Sequence, residues 1–281
     1  FVSDLHGRAH RYQALFAAIR ELVPKAVFLG GDLLPFPSRH RAAAPQVNDF
    51  VRDYLAPELE SIREELRDRY PRVFLISGND DPRAAALAFV DLEPQGLWTW
   101  AHDRAVGFQN YIVLGYAYVP PTPFLLKDWE RYDMGRTVPP GCVSPEEGYR
   151  SVAEPENVSR FATIAKDLER LASGCEMERT ILLAHSPPYG THLDRAALDG
   201  KSIDYAPLDV HVGSVAIRRF IETRAPHVAL SGHIHEAARL TGAWQDRLGR
   251  TLCMSAAHDG PELALVRFDL DDLSGATREL L

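Results

Sequence analysis

Short apolar runs alternate, along the first third of the chain, with segments whose apolar positions recur every three or four residues. The runs over residues 26–29 and 73–76 predict buried strands, and the helical spacing predicts amphipathic helices. We expect a first helix over residues 12–23 that ends at Pro24, because proline cannot continue a helix.

The same alternation gives a strand–helix–strand–helix–strand order. A proline-rich turn over residues 35–45 leads to a long helix over residues 47–66 with a kink at Pro57. Pro82 suits the first turn of a further helix that runs to about Val90. Short strands joined by helices predict parallel pairing and an α/β fold, in which ligands bind beyond the carboxyl ends of the strands.

The second part of the chain predicts more strands, two helices and an antiparallel end. The predicted strands cover residues 97–100, 105–106, 111–115, 180–184, 228–230, 237–240, 252–256 and 263–270. The predicted helices cover residues 158–171 and, after an N-cap at Ser214, residues up to about Thr223. No repeat or linker interrupts the pattern, so we expect one domain over residues 1–281.

Residues 119–157 contain many prolines and show little periodicity. A loop of this length usually has a function or is disordered, so we expect a cap or lid, with a passive insertion as the alternative. Lys127, Arg131 and Arg136 lie in this stretch. They are either solvated charges or contacts to a substrate phosphate or carboxylate.

The charge and the cysteines narrow the function classes. The net charge of −8 argues against a surface for non-specific nucleic-acid binding, although metal ions can still attract a phosphorylated substrate. No apolar stretch approaches the roughly 18 residues of a membrane span, and the start shows no secretory signal. Three widely spaced cysteines match no zinc pattern or disulfide framework, which favours the cytoplasm.

Asp, Asn and His follow a small residue at five predicted strand ends. The five motifs are Asp4-Leu5-His6, Gly31-Asp32, Gly78-Asn79-Asp80, His185 and Gly232-His233-Ile234-His235. One Gly-His-x-His is a weak signal, since histidine is common in other roles. On an extended chain, however, its two imidazoles lie on the same side and suit a transition metal. The repetition at strand ends favours a metal site.

This ordered set, over residues 4–235, resembles the calcineurin-like metallophosphoesterase superfamily. The turn over residues 186–191 and the irregular middle of the chain resemble a bacterial branch of small phosphoesterases. The resemblance implies a four-layer α/β–β/α sandwich with two mixed β-sheets packed face to face. It also implies two divalent or trivalent transition metals (Mn, Fe, Zn, Ni or Co) and a small phosphorylated substrate. A hydroxide held between the metals would attack phosphorus in line, without a phosphorylated enzyme intermediate.

The resemblance also implies a role for each motif residue. Asp32 would bridge the two metals. The first metal would be completed by Asp4, His6 and His235, and the second by Asn79, His185 and His233.

Several of these residues have an ordinary alternative. Asp4 could cap the first helix, and Asp32 could cap a turn. Asn79 could form an Asx-turn, and His185 could be a hydrogen-bonded core histidine.

The third motif departs from the family pattern of Gly-Asn-His followed by Asp or Glu, because Asp80 and Asp81 follow Asn79. The usual histidine contacts the phosphate and is thought to protonate the leaving group. An ionised carboxylate repels a phosphate dianion, and it serves as an acid only if its pKa is raised. This departure favours a phosphodiester, a substrate with a good leaving group or another residue as the acid, and of these we slightly favour the phosphodiester. The candidate catalytic residues are Asp80, Asn79 and His211, the last because it flanks the loop after His185.

Two other functions remain open. A non-catalytic interaction or regulatory protein on the same fold is favoured by the missing motif histidine, since fold does not fix function. A nuclease would need a basic track for the nucleic-acid backbone. The oligomeric state is left open.

Overall fold

The structure is a computed structural model, and it describes residues 1–35 and 45–281. The predicted proline-rich turn over residues 35–45 therefore lies almost wholly outside the described residues. The first sheet contains the parallel strands β1 (Ala26–Gly30), β2 (Arg72–Ile76) and β3 (Thr99–Trp100). It continues through Val2, which forms a parallel bridge with Leu29.

Helices connect the strands of the first sheet. They are α1 (Ala9–Leu22), a π-helical turn (Val51–Leu55) that leads into α2 (Ala56–Leu66), and α3 (Arg83–Leu92). The predicted break at Pro57 takes the form of this π-helical turn, with the proline in the first turn of α2. A wider turn at this point fits a proline, which lacks the N–H that an α-helix uses.

The second sheet is mixed. In sequence order its strands are β4 (Arg104–Phe108), β5 (Tyr111–Tyr116), β6 (Thr180–Ala184), β9 (Val228–Ser231), β10 (Gln245–Leu248) and β11 (Thr251–Ser255). The inner strands β5, β6, β9 and β11 are parallel, and the edge strands β4 and β10 are antiparallel to their neighbours. Because β11 pairs in parallel with β9, the C-terminal part is only partly antiparallel.

The prediction of one helix over residues 158–171 was wrong. The structure has α4 (Glu156–Phe161) and α5 (Ile164–Leu171) instead. Thr163 has an extended backbone and its side chain accepts a hydrogen bond from the Lys166 N–H, so it ends one helical path and caps the next. The predicted cap at Ser214 is confirmed, because its side chain accepts from Ile217 N–H at the start of α6 (Val215–Arg224).

The prediction of a strand over residues 237–240 was also wrong, because α7 (Ala237–Thr241) lies there. Alanine, arginine and leucine favour helix, and Gly242 at φ 74° closes it. The remaining strands form two hairpins. They are β7 (Ser202–Ile203) with β8 (Ala206–Pro207), and β12 (Ala264–Arg267) with β13 (Thr277–Leu280).

The two large sheets pack face to face through aromatic side chains. Phe28 of β1 and Phe74 of β2 stack with ring centroids 5.5 Å apart. Phe108 of β4 meets Phe74 at 5.5 Å and Phe28 at 6.4 Å. With α1 packed on α2, and α5 packed on α6, the arrangement is the expected four-layer sandwich. Among the described residues, no helix is long and apolar enough to cross a membrane.

Candidate metal centre

The motif residues lie in loops directly after the carboxyl ends of the strands. Asp32 follows β1, Asn79 follows β2, His185 follows β6 and His233 follows β9. Because these strands run parallel and the sheets face each other, the four loops meet at one end of the sandwich.

Backbone hydrogen bonds tie the first motif to the second. The Asp4 N–H donates to the Gly31 carbonyl over 2.9 Å, and the His6 N–H donates to the Asp32 carbonyl over 2.8 Å. Asp4 in turn accepts the His233 N–H at 3.0 Å. These contacts replace the helix-capping role considered for Asp4, since α1 begins after Arg8 without a side-chain cap.

The side chains form two clusters that share one carboxylate. The first cluster contains Asp4, His6, Asp32 and His235, and the second contains Asp32, His185 and His233. Within each cluster, one ligand atom per residue lies within 4.8 Å of all the others. Mixed imidazole and carboxylate donors of this kind suit first-row transition metals better than calcium.

In the first cluster, ring nitrogens and carboxylate oxygens converge. The Nε2 atoms of His6 and His235 are 3.1 Å apart, and His235 Nε2 lies 3.3 Å from Asp4 Oδ1. His6 Nε2 lies 3.9 Å from Asp32 Oδ2. A cation among these atoms would be coordinated by nitrogen and oxygen ligands together.

In the second cluster, His185 is oriented by the strand end that precedes Asp32. Its Nδ1–H donates to the Gly30 carbonyl over 2.7 Å. Its Nε2 therefore faces the site, 3.3 Å from Asp32 Oδ2 and 3.2 Å from Asn79 Oδ1. A backbone carbonyl on one ring nitrogen sets the tautomer and presents the other nitrogen to a metal.

Four of the clustered residues have a left-handed backbone, which non-glycine residues rarely adopt. Their φ angles are 56° at Asp4, 49° at His6, 53° at Asp32 and 73° at His233. Such conformations cost about 1–3 kcal/mol each and persist where the surrounding structure enforces them, often at functional sites. The backbone is therefore strained to turn these side chains toward each other.

The glycines of the motifs leave room for the ligand atoms. A Cβ atom at Gly31 would lie 2.6 Å from His185 Nδ1, and one at Gly232 would lie 2.5 Å from Asp4 Oδ2. At Gly78 it would lie 2.5 Å from His185 Nε2 and closer still to Asp32 Oδ1. The clusters close only because these positions lack a side chain.

The spacing of His233 and His235 suggested an extended chain, but the backbone at this point is not extended. The left-handed backbone of His233 turns the chain directly after β9. His233 consequently joins the Asp32–His185 cluster, while His235 joins the Asp4–His6 cluster. The pair therefore contributes to both clusters.

The pKa values follow from this crowding. Burial opposes ionisation of Asp32, but the neighbouring His185 lowers its pKa to about 2. Burial opposes protonation of His185, but the Asp32 charge raises its pKa to about 9. Burial and the His185 charge lower the pKa of His233 to about 3. Burial opposes ionisation of Asp4 as well, but the hydrogen bond with His235 outweighs this effect and lowers the pKa of Asp4. Both clusters therefore keep ionised carboxylates that can bind cations.

Asp81 supports the site and was not singled out from the sequence as a support. Its buried carboxylate accepts N–H bonds from Leu33 and Leu34, after Asp32, and from Gly78, before Asn79. Burial raises its pKa to about 7 against these three donors. An aspartate beside a ligand motif, with a following proline at Pro82, is the sequence signal that could have pointed to it.

Arg11 is a second support that the sequence did not reveal. Its buried guanidinium donates to the carbonyls of Asp4, His258, Gly260 and Pro261. It thereby joins the first motif to a loop near the C-terminus. The sequence around Arg11 gave no signal of this role, because all its acceptors are backbone carbonyls and three of them lie about 250 residues further along the chain.

The candidate acids occupy different surroundings. Asp80 Oδ2 lies 3.9 Å from His6 Nδ1, and the Asp80 N–H donates to Asp32 Oδ1 over 2.8 Å. His211 Nδ1 instead hydrogen-bonds Asp194 Oδ1 at 2.8 Å. Buried Asp194 also accepts N–H bonds from the loop after His185. Asp80 thus lies beside the clusters, whereas the observed contacts of His211 shape that loop.

Three basic residues of the irregular segment, those considered as substrate contacts, are all paired. Lys127 and Glu130 form a fully buried ion pair at 2.6 Å. Arg131 pairs with Asp167, and Arg136 pairs with Glu146. Lys127 is therefore not a solvated charge.

The fold and the paired Asp/His clusters define an α/β sandwich with a candidate binuclear centre. The chain belongs to the calcineurin-like phosphoesterase family, whose model matches residues 1–237. The family implies divalent metal ions and, in general, a metal-dependent phosphoesterase.

Individual relatives are distant. The uncharacterized protein MJ1162 of Methanocaldococcus jannaschii is 29% identical over 104 residues, which cover 36% of this chain and 38% of that protein. The crystal structure of TT1561 of Thermus thermophilus is 15% identical with a TM-score of 0.54, covering 99% of this chain and 96% of that one. Another crystal structure is 16% identical with a TM-score of 0.56, covering 100% and 96%. These two structures are similar in fold.

Proposed function

We propose that the protein hydrolyses a small phosphate ester at two metal ions held by the Asp4–His6–Asp32–His235 and Asp32–His185–His233 clusters. The observation that supports this most is the shared carboxylate of Asp32. Two cations that share a ligand lie close enough to act on one phosphoryl group. Asn79, whose Oδ1 faces His185 Nε2, would complete the second ligand set.

The bound metals, drawn from Mn, Fe, Zn, Ni or Co, would supply Lewis acidity and a nucleophilic water at neutral pH. The residues of the chain do the rest. Asp32 and Asp4 remain ionised, which favours cations over protons in the site. The Gly30 carbonyl fixes the His185 ring, so that its other nitrogen faces the site.

A phosphodiester is the preferred substrate in this proposal. Asp80 carries a carboxylate beside the clusters, where the family usually has a histidine. A carboxylate repels a monoester dianion more strongly than a diester monoanion. We expect Asp80 to disfavour monoesters, and we keep Asp80, Asn79 and His211 as the candidate catalytic residues.

The proposed partner is a small molecule in the cytoplasm. The three free cysteines, Cys142, Cys175 and Cys253, support a reducing compartment. The net charge of −8 argues against a nucleic-acid substrate.

A non-catalytic, metal-binding regulatory protein is the second candidate, and Asp80 is the observation that favours it. Without a motif histidine, protonation of the leaving group needs another residue. Metal binding without turnover distinguishes this candidate from the first.

The test is hydrolysis of a chromogenic phosphodiester and its monoester analogue, with Mn²⁺ and with chelator. We expect diester turnover that needs Mn²⁺ and is abolished by Asp32→Asn. The matched control is Asp133→Asn, which removes a half-buried carboxylate that caps α6 through Ser214 and Val215. Turnover that persists in Asp32→Asn would exclude the proposed centre.

A second comparison tests the preference. Asp80→His is expected to raise monoester turnover relative to diester turnover by about tenfold, because it removes the repelling charge and restores a proton donor. Asp80→Asn removes only the charge, so it separates the two effects. An unchanged ratio in both variants would show that Asp80 does not set the preference.

A further inference from the structure

We propose that Trp129, Asp128 and Ser151, in the irregular segment between β5 and α4, are positioning residues for the loop that carries Asn79 and Asp80. This inference rests on the proposed function, because it assigns the loop to the metal centre. It gives part of the segment predicted as a lid a different role, that of a fixed brace.

Trp129 makes the most direct contact. Its indole Nε1–H donates to the Asp81 carbonyl over 2.7 Å, and the side chain is buried. The Asp81 carboxylate in turn receives the Leu33, Leu34 and Gly78 N–H groups. One residue therefore connects the indole to the backbone on both sides of the centre, after Asp32 and before Asn79.

Asp128 and Ser151 accept hydrogen bonds from the first turn of α3. Helix α3 starts after Pro82 without a side-chain cap of its own, so its first N–H groups need acceptors from elsewhere. The Arg83 N–H donates to Asp128 Oδ2 over 2.7 Å, and the Ala84 N–H donates to Ser151 Oγ over 2.9 Å. The cap of α3 thus comes from the irregular segment.

The bracing residues are themselves held in place. The Ser151 N–H donates to Asp128 Oδ1 over 2.9 Å. On either side of Asp128 and Trp129, Lys127 and Glu130 form their buried ion pair, and Glu130 also accepts the Thr122 N–H. This buried network lies within residues 122–130 and fixes the local shape of the segment around Asp128 and Trp129.

The chain also packs Arg83 against the brace. Its guanidinium carbon lies 4.6 Å from the centre of the Trp129 ring, and its Nη2 donates to the Asp128 carbonyl over 2.7 Å. The segment Asp80–Arg83 is therefore contacted through backbone N–H, backbone carbonyl and side chain. Contacts of all three kinds restrict the positions that Asn79 and Asp80 can take.

The test compares Trp129→Phe with Trp98→Phe. Trp98 is also buried, and its Nε1–H donates to a backbone carbonyl, that of Phe89, over 2.8 Å. Both variants lose one indole hydrogen bond, but only Trp129 contacts the Asn79–Asp80 loop. Calorimetric titration with Mn²⁺ and turnover of the chromogenic diester are measured on the full chain.

We expect Trp129→Phe to weaken Mn²⁺ binding at one of the two sites by about tenfold, because it disturbs the placement of a metal ligand. It should lower kcat with little change in KM, because substrate binding is not disturbed. Trp98→Phe should leave both Mn²⁺ constants within about twofold of the wild type. Equal Mn²⁺ constants and equal kcat in the two variants would overturn the brace.

Ser151→Ala provides a milder variant, because Ser151 is exposed and its loss does not threaten folding. Its control is Ser159→Ala, a half-buried serine whose Oγ donates to the Glu156 carbonyl of its own helix. A lower kcat and weaker Mn²⁺ binding in Ser151→Ala alone would support the brace. Identical values in both variants would count against it. If the wild type binds two Mn²⁺ ions but shows no turnover, the proposed hydrolysis is refuted. The Mn²⁺ binding constants of the variants would then test the brace on their own.

Discussion

His185 Nε2 lies 3.3 Å from Asp32 Oδ2, and both side chains are buried. Asp32 belongs to both clusters, whereas His185 belongs only to the second. A substitution at His185 should therefore affect one site, whereas a substitution at Asp32 should affect both.

Replacing His185 should remove one metal and spare the other. We expect His185→Ala to bind one Mn²⁺ instead of two and to lose at least about 100-fold in kcat, because ligands matter more than the outer groups that support them. The measurement is Mn²⁺ stoichiometry by calorimetry, together with diester turnover. His227→Ala is the control, since His227 hydrogen-bonds the Leu270 carbonyl outside both clusters. Two Mn²⁺ ions in His185→Ala would contradict the ligand assignment.

The stability of the metal-free protein should depend on pH through the same pair. The pKa of His185 is raised to about 9, so the folded state holds a proton that the unfolded chain releases near pH 6.5. The stabilisation is complete below about pH 6.5 and is lost as the pH rises through about 9, by at most about 3 kcal/mol. Urea unfolding in chelator at several pH values measures it. Asp32→Asn removes the charge that raises this pKa, and an equal slope in that variant would contradict the pairing.

Gly78→Ala should disrupt the centre through sterics alone. The added Cβ would lie 2.5 Å from His185 Nε2 and even closer to Asp32 Oδ1. We expect Mn²⁺ binding to fall and the free energy of unfolding to drop by about 1–3 kcal/mol, as in overpacked cores. Gly107→Ala is the control, because a Cβ there meets nothing within 4 Å. Similar Mn²⁺ binding in both variants would show that the loops can shift to accept the methyl group.

Arg11→Lys should weaken the Asp4 side of the centre. The guanidinium donates to four backbone carbonyls, one of them that of Asp4, and an ammonium group cannot match that fork of donors. We expect a loss of about 1–3 kcal/mol in unfolding free energy and weaker binding of one Mn²⁺. Arg20→Lys, in an exposed pair with Glu65, should change neither quantity. Unaltered Mn²⁺ binding in Arg11→Lys would limit its role to folding.

The sequence alone predicted most helices and strands because these depend on local spacing. The apolar runs that became β1, β2, β6 and β9 were visible, and so was an Asp, Asn or His directly after a small residue at each strand end. The errors arose where the local sequence only slightly favoured one secondary structure over another. Thr163 divides one amphipathic stripe into two helices, and the segment Ala237–Thr241 favours helix over strand.

The tertiary structure decided how the motif residues combine. The left-handed backbone at His233 sends two neighbouring histidines to different clusters, which a spacing of two cannot reveal. The contacts of Trp129 with Asp81 and of Asp128 with Arg83 join residues far apart in the chain. A residue's own sequence neighbourhood determines its periodicity and its turn preference, but hydrogen bonds between distant loops form only when the packed sheets bring those loops together.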